Sequence, residues 1–143
     1  MDNTRWVCDK CSEYINTPEE GYVEWYRDNK SNKLHNFHIV HQTKECMYDE
    51  QRVFNNENSS TPGNHLFAFL GNDGLIRLLR LLGSEDLLDR QEVINLSLRL
   101  QVPSYDTGLN RFDEAWSKGY INGPINGVYY PSVGQIEDIN NEL

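Results

Sequence analysis

The sequence predicts an α+β protein in which a small N-terminal β-hairpin module precedes a compact helical domain with a C-terminal β-hairpin. Three observations predict this class. Two runs of strand-forming residues, 21–27 and 34–41, flank a polar turn. Apolar residues recur at helical intervals after residue 72. Two Asn-Gly dipeptides then stand between apolar residues at 120–130, which is a strong signal for a tight hairpin.

Cysteine and histidine residues cluster around the first hairpin in a pattern that is typical of metal binding. Cys8 and Cys11 form a Cys-x-x-Cys pair, while His38, His41 and Cys46 lie in and just after the second predicted strand. Two thiolates spaced in this way can bind one ion, and a His and a Cys from another segment complete a tetrahedral site. The sequence therefore predicts one structural Zn²⁺ per chain, bound by Cys8, Cys11, His41 and Cys46.

His38 is the alternative to His41 as the fourth ligand. Alternation along the strand puts Phe37, Ile39 and His41 on one face, with the first two packed beneath the metal, and this favours His41. The spacing resembles the looser half of zinc-ribbon and treble-clef modules, which implies a metal that stabilises a small fold. Buried thiols without a metal, or a redox pair of the thioredoxin type, stay open as other interpretations of the cysteines.

A polar segment at 55–64 separates the two predicted parts of the chain. It lacks periodicity and contains Pro62 and Gly63 among Asn and Ser residues, as exposed loops commonly do. The sequence therefore predicts a linker or long loop between a zinc-binding β-hairpin module at 1–54 and a helical domain at 65–143.

Three helices are predicted in the second part. The first begins at a cap on Asn72 or Asp73 and ends at Gly83. The second runs from about residue 89 to residue 101, and the third follows Ser104. The first helix carries a broad apolar stripe that consists of Leu75, Ile76, Leu78, Leu79 and Leu82.

The order helix, helix, short turn, helix, hairpin over 72–131 resembles a winged-helix domain. This resemblance implies a transcriptional regulator or other DNA-binding protein whose third helix enters the major groove. Three of the six polar residues expected on the surface of that helix are acidic, which makes it a poor surface for phosphates. These six residues are Asp106, Asn110, Arg111, Asp113, Glu114 and Lys118.

The segment 38–41, His-Ile-Val-His, lies beside a Cys-x-x-Cys pair and also resembles the neighbourhood of HNH-type nucleases. This second resemblance implies a metal-dependent nuclease. However, the chain lacks a second Cys-x-x-Cys pair and a basic groove, and His41 is already assigned to the structural zinc. The sequence therefore predicts no catalytic residue and a protein that is not an enzyme.

The acidic charge of the chain indicates which classes of partner it can bind. The 143 residues carry a formal net charge of -9. Residues 1–54 have 7 basic against 10 acidic side chains, and residues 55–143 have 6 against 12. Neither part offers the cationic surface that nucleic acid requires, whereas both suit a basic protein.

The sequence predicts a cytoplasmic protein. It contains no apolar run long enough to cross a bilayer, and residues 1–6 lack the charged-then-apolar order of a signal peptide. A reducing compartment also agrees with cysteine thiolates that bind a metal. No association with a membrane is therefore expected.

These features predict a structural-zinc protein that acts as a protein–protein interaction or regulatory module. An amphipathic tail with Val133, Ile136 and Ile139 docks either on the protein's own core or on a partner, which leaves a homodimer open. Aromatic residues are the expected anchors for a partner. The candidates are Tyr22, Trp25, Tyr26, Tyr129 and Tyr130. Of the three on the first hairpin, we expect Tyr22 or Trp25 to pack in the core of the small sheet sooner than Tyr26.

Overall fold

The structure is a computed structural model that describes residues 4–110, and it confirms the α+β class. The strands in this part of the chain are β1 (Trp6–Val7), β2 (Tyr14–Ile15), β3 (Gly21–Asp28), β4 (Leu34–His41), β5 (Ser59–Ser60) and β6 (Gly63–His65). Its α-helices are α1 (Glu50–Glu57), α2 (Gly71–Leu82), α3 (Arg90–Gln101) and α4 (Tyr105–Asn110).

Several predictions from the sequence fall outside the described residues. These are the C-terminal β-hairpin, most of the third predicted helix, the amphipathic tail and the last two candidate anchors, Tyr129 and Tyr130. The resemblance to a winged helix depends on the same residues and stays a prediction. None of the described helices is long and apolar enough to span a membrane.

The predicted hairpin is present as β3 and β4, with nearly the expected bounds. The two strands are antiparallel, and Gly21 lies opposite His41 while Val23 lies opposite Ile39. Asp28 closes the turn, because its carboxylate accepts hydrogen bonds from the backbone N–H and the hydroxyl of Ser31, at 3.0 and 2.6 Å. Local strand formers and a polar turn therefore determine this element.

The segment predicted as a polar linker differs from the expectation. Helix α1 extends to Glu57, and strands β5 and β6 pair with the edge of β3 that faces away from β4. Asn58 ends the helix in a left-handed conformation, at φ 48°, which asparagine tolerates better than most residues. The polar residues of 55–64 are therefore a helix end and two short edge strands. Their pairing depends on β3, so local sequence does not reveal it.

Both faces of the hairpin are covered. Val23 and Ile39 are fully buried on one face, and Val40 with the polar residues Glu24 and His38 is buried on the other. The main buried cluster combines residues from both sides of the 55–64 segment. Its members are Trp6, Cys8, Ile15, Val23, Ile39, Val40, Cys46, Leu66, Phe69, Leu78, Leu96 and Leu100. The division of the chain into two domains stays a prediction, although the described residues share this core.

The aromatic residues of β3 contribute to packing. Trp25 stacks on Phe37, with ring centroids 5.3 Å apart, and meets Phe69 edge to face. Tyr26 is buried, whereas Tyr22 and Trp25 are partly buried. We expected Tyr26 to be the most exposed of the three, and that expectation is wrong. It contacts the rings of His38 and Tyr48 on the second face of the hairpin.

The two long helices begin and end close to the expected residues. Asp89 caps α3 by accepting a hydrogen bond from the backbone N–H of Gln91. Helix α2 ends at Gly83 as predicted, but it begins at Gly71, and no side chain caps it. The expected caps, Asn72 and Asp73, lie inside its first turn instead.

Gly74 allows the first turn of α2 to lie directly against the backbone of Phe69, where a methyl group would clash. We expect Gly74→Ala to destabilise the protein by about 1–3 kcal/mol, because rigid backbone cannot make room for it. Gly83→Ala is the matched control, since a methyl group there makes ordinary contacts. Chemical denaturation measures both free energies of unfolding. Equal stability of the two variants would contradict the close approach.

Candidate metal centre

The Cys-x-x-Cys pair lies in a tight turn between β1 and β2, which are antiparallel. The backbone N–H of Ser12 donates to the carbonyl of Cys8, and the N–H of Cys8 donates to the carbonyl of Glu13, both at 2.9 Å. Ser12 adopts a left-handed conformation, at φ 67°. This turn brings the sulfur atoms of Cys8 and Cys11 to the same side of the loop.

The other two predicted ligands come from the end of the hairpin. His41 is the last residue of β4, and Cys46 follows in a turn whose backbone N–H groups donate to the carbonyl of Thr43. The structure brings the four predicted ligand residues together, with their ligand atoms all within 4.8 Å of one another. The three cysteines form no disulfide.

The distances among these atoms suit tetrahedral zinc. The Nδ1 atom of His41 lies 3.4 Å from the sulfur of Cys11 and 3.7 Å from that of Cys46. Zinc bonds of about 2.3 Å to sulfur and about 2.0 Å to nitrogen place such atoms roughly 3.6 Å apart in a tetrahedron. The residues present therefore fit a zinc ion, and their side chains need little movement to bind it.

A hydrogen bond to Tyr14 fixes the protonation of His41. The Nε2 atom of His41 lies 2.9 Å from the backbone carbonyl oxygen of Tyr14. A carbonyl only accepts, so Nε2 carries a proton, and in the neutral ring Nδ1 then has the lone pair that a metal requires. Partners of this kind orient histidine ligands and increase their basicity.

The protein surroundings also favour the thiolate form of Cys8. Burial alone would raise the pKa of this thiol, but backbone hydrogen bonds from Cys11, His41 and Lys10 lower it to about 7. Amide N–H groups that point at a sulfur stabilise its negative charge. A substantial fraction of Cys8 is therefore thiolate near neutral pH, and a metal ligand must be in that form.

The four residues differ in their exposure to solvent. Cys8 and Cys46 are buried, His41 is partly buried and Cys11 is exposed. Burial raises the pKa of the Cys46 thiol. The cluster thus lies at the edge of the core, with its Cys11 side open to solvent, where an ion can enter without unfolding the protein.

His38, the alternative ligand, lies on the other face of the hairpin. Its Nε2 atom is 2.9 Å from a carboxylate oxygen of Glu24, and its Nδ1 atom is 2.7 Å from the carbonyl of Asn36. Both ring nitrogens of His38 therefore lie within hydrogen-bond distance of an oxygen atom. The same carboxylate oxygen accepts the backbone N–H of Tyr48 at 2.8 Å. These contacts occupy both ring nitrogens of His38.

Asp9 lies between Cys8 and Cys11 in the tight turn, which we call the knuckle. It connects the knuckle to the hairpin. Its backbone N–H donates to the carbonyl of Ile39, and its carboxylate accepts the backbone N–H of Ile39, both at 2.8 Å. The guanidinium of Arg99 contacts the same carboxylate at 2.9 and 3.1 Å. Asp9, which lies between two of the predicted ligands in sequence, therefore connects the loop to β4 and to α3.

Arg99 on α3 makes hydrogen bonds that connect this helix to the loop. Besides Asp9, it forms a hydrogen-bonded ion pair with Asp106 and donates to the carbonyl of Val7 at 3.0 Å. Burial alone would lower the pKa of the guanidinium, but Asp106 and Asp9 outweigh this effect and raise the pKa above its usual value. Arg99 therefore keeps its positive charge. The sequence alone does not predict this role. Arg99 and Asp9 are 90 residues apart, and no local pattern relates them.

No protein-family model matches the chain, and no curated protein or solved structure matches it. The geometry of the metal centre and the surfaces around it therefore provide the basis for a functional proposal.

Proposed function

We propose that Cys8, Cys11, His41 and Cys46 bind one zinc ion whose role is structural. The single observation that supports this most strongly is the convergence of three sulfur atoms and the Nδ1 atom of a histidine within 4.8 Å. Soft thiolate ligands with one imidazole favour zinc over magnesium, calcium or manganese. Four protein ligands complete a tetrahedral shell, which leaves no position for a water or a substrate.

The bound ion would connect two segments that have little secondary structure of their own. Strands β1 and β2 have two residues each, and a ladder this short is marginal in water. Zinc supplies the missing stability by joining this turn to the end of the hairpin. The Asp9–Arg99 contact then extends the connection to α3. The ion thereby helps to hold the turn, the hairpin and α3 in a fixed arrangement.

We further propose that the protein acts in the cytoplasm as a module that binds another protein, and that its partner is basic. The net charge of -9 supports a basic partner. Large apolar side chains on the described surface support a protein contact. These exposed residues are Tyr14, Phe54, Phe67, Leu75, Ile76, Leu79 and Leu88. Tyr22, Trp25 and Tyr26 are weaker candidates as anchors, since they pack within the protein.

One experiment on the purified full chain tests both parts of the proposal. Metal analysis is expected to find about one zinc per chain. The same zinc-loaded protein is then used to capture partners from the native host at about 0.15 M salt, followed by elution at about 0.5 M salt. We expect a basic protein that elutes at the higher salt, because screening weakens its electrostatic attraction.

The control is an unrelated acidic protein of similar net charge, which must not capture the same partner. A folded protein without metal would refute the structural role of zinc. Retention of DNA at about 0.15 M salt would favour the DNA-binding alternative instead. Metal-dependent nicking of plasmid DNA would favour the nuclease.

A further inference from the structure

The apolar stripe of helix α2 points largely away from the core. Such a stripe usually faces the interior, but only Gly74 and Leu78 of this helix are buried. Leu75, Ile76 and Leu79 are 40, 52 and 58% exposed. We call these three residues the α2 apolar face. With 3.6 residues per turn, Ile76 lies nearly opposite the buried Leu78, so Ile76 lies on the outer side of the helix.

An exposed apolar cluster of this kind requires an explanation. Single apolar residues are common on protein surfaces, but neighbouring ones on consecutive turns usually mark a contact site. A cavity of about 640 Å³ borders one side of this face, and Ile76 lines it together with Trp25 and Phe69. The surface therefore combines a ridge of apolar side chains with an adjacent groove, as in helix packing.

Charged residues of opposite sign lie on the two sides of Ile76 along the helix, so two copies of this surface can pair with each other. Asp73 lies about one turn before Ile76, and Arg80 lies about one turn after it. Within residues 4–110, neither side chain makes an ion pair or a side-chain hydrogen bond. If a second α2 helix lies antiparallel with its Ile76 against the first, each Asp73 faces the Arg80 of the other copy.

We propose that the α2 apolar face is the contact surface of a homodimer with two-fold symmetry, in which two α2 helices pack antiparallel around Ile76. This inference goes beyond the proposed function, because it names a second copy of the chain as a partner and does not depend on zinc. Two Asp73–Arg80 pairs border the interface and fix its register. The apolar ridge of one copy packs beside the ridge and groove of the other.

The charges favour a second copy of the chain, and not residues 111–143 of the same chain, as the group that covers the α2 apolar face. Residues 111–143 carry 5 acidic and 2 basic side chains. An acidic segment would suit Arg77 and Arg80, but it would place further negative charge beside Asp73. A second α2 helix supplies a partner of opposite sign for Asp73 as well as for Arg80.

The oligomeric state of the full chain tests the proposal. Sedimentation equilibrium between about 1 and about 500 μM is expected to show a monomer–dimer equilibrium, since an interface of one helix pair is small. Ile76→Glu is expected to abolish the dimer. Phe54→Glu is the matched control, because Phe54 is 56% exposed on α1, a different helix, and this variant must still dimerise. Circular dichroism verifies that both variants are folded.

A charge exchange tests the antiparallel arrangement. Asp73→Arg and Arg80→Asp, made separately, are each expected to raise the dissociation constant of the dimer about tenfold or more. The double variant restores opposite charges across the two-fold axis and is expected to recover most of the affinity. A chain that stays monomeric over the whole range would overturn the proposal. Dimerisation that is insensitive to Ile76→Glu, or a double variant as weak as the single ones, would also overturn it.

Discussion

His41→Ala is expected to remove zinc from the protein and to unfold the segment around β1 and β2, whereas His38→Ala is expected to leave zinc bound. The first variant loses a ligand from the proposed tetrahedral site. Structural zinc contributes on the order of 10 kcal/mol to the folding of small modules at neutral pH. Most of that free energy is lost when three ligands remain.

His38→Ala damages the protein for a different reason. It removes the partner of a Glu24 carboxylate that is itself buried, and an unpaired buried charge costs about 3–5 kcal/mol. The two histidines lie on the same strand and are three residues apart in sequence, so each variant is a control for the other. The double variant His38→Ala/Glu24→Gln is expected to be more stable than His38→Ala, because it leaves no buried charge.

Metal analysis after gel filtration measures the zinc content of each variant. Chemical denaturation followed by tryptophan fluorescence measures the free energy of unfolding, and the buried Trp6 reports on the segment next to the knuckle. Zinc loss in His38→Ala, combined with zinc retention in His41→Ala, would contradict the assignment of the fourth ligand.

Arg99→Met is expected to destabilise the protein by about 3–5 kcal/mol, because it leaves the carboxylates of Asp9 and Asp106 without their partner. Asp9 lies between two proposed ligands, so the same change is expected to weaken zinc binding by about 10–100-fold. Arg52→Met is the control. Arg52 is exposed on α1, and such substitutions usually change stability by less than about 0.5 kcal/mol.

A variant that removes all three charges shows whether Arg99→Met loses stability through lost charge pairing or through lost packing. The triple variant Arg99→Met/Asp9→Asn/Asp106→Asn removes all three charges and keeps similar side-chain volumes. We expect it to recover part of the stability that Arg99→Met loses. Competition with a chromogenic chelator measures the zinc affinity of each variant. An unchanged zinc affinity in Arg99→Met would show that the α3 contact does not support the knuckle.

The parts of the fold that the sequence predicted well are local. Strands β3 and β4 were predicted within a residue or so, since strand formers flank a polar turn closed by Asp28. The four residues that converge at the metal centre were also predicted, because a Cys-x-x-Cys pair and the alternation of β4 restrict the choice. Short-range chemistry is sufficient for both features.

The parts that were missed depend on the assembled protein. Strands β5 and β6 contain few strand formers and exist because β3 offers them an unpaired edge. The periodicity of α2 predicted an apolar stripe but not which side of the helix packs. Gly74 adds a close approach that periodicity does not reveal, since its missing side chain lets the first turn of α2 lie against the backbone of Phe69. The Asp9–Arg99 ion pair joins residues too distant in sequence for any pattern to connect them.

The distance along the chain between Asp9 and Arg99 also determines the order in which the protein can be assembled during synthesis. All four proposed zinc ligands have been made once residue 46 emerges from the ribosome, whereas Arg99 emerges more than fifty residues later. At translation rates of about 5–20 residues per second, several seconds separate the two events. If the site binds zinc as proposed, the ion can be bound before α3 exists. The Asp9 carboxylate is then already in place when the helix arrives.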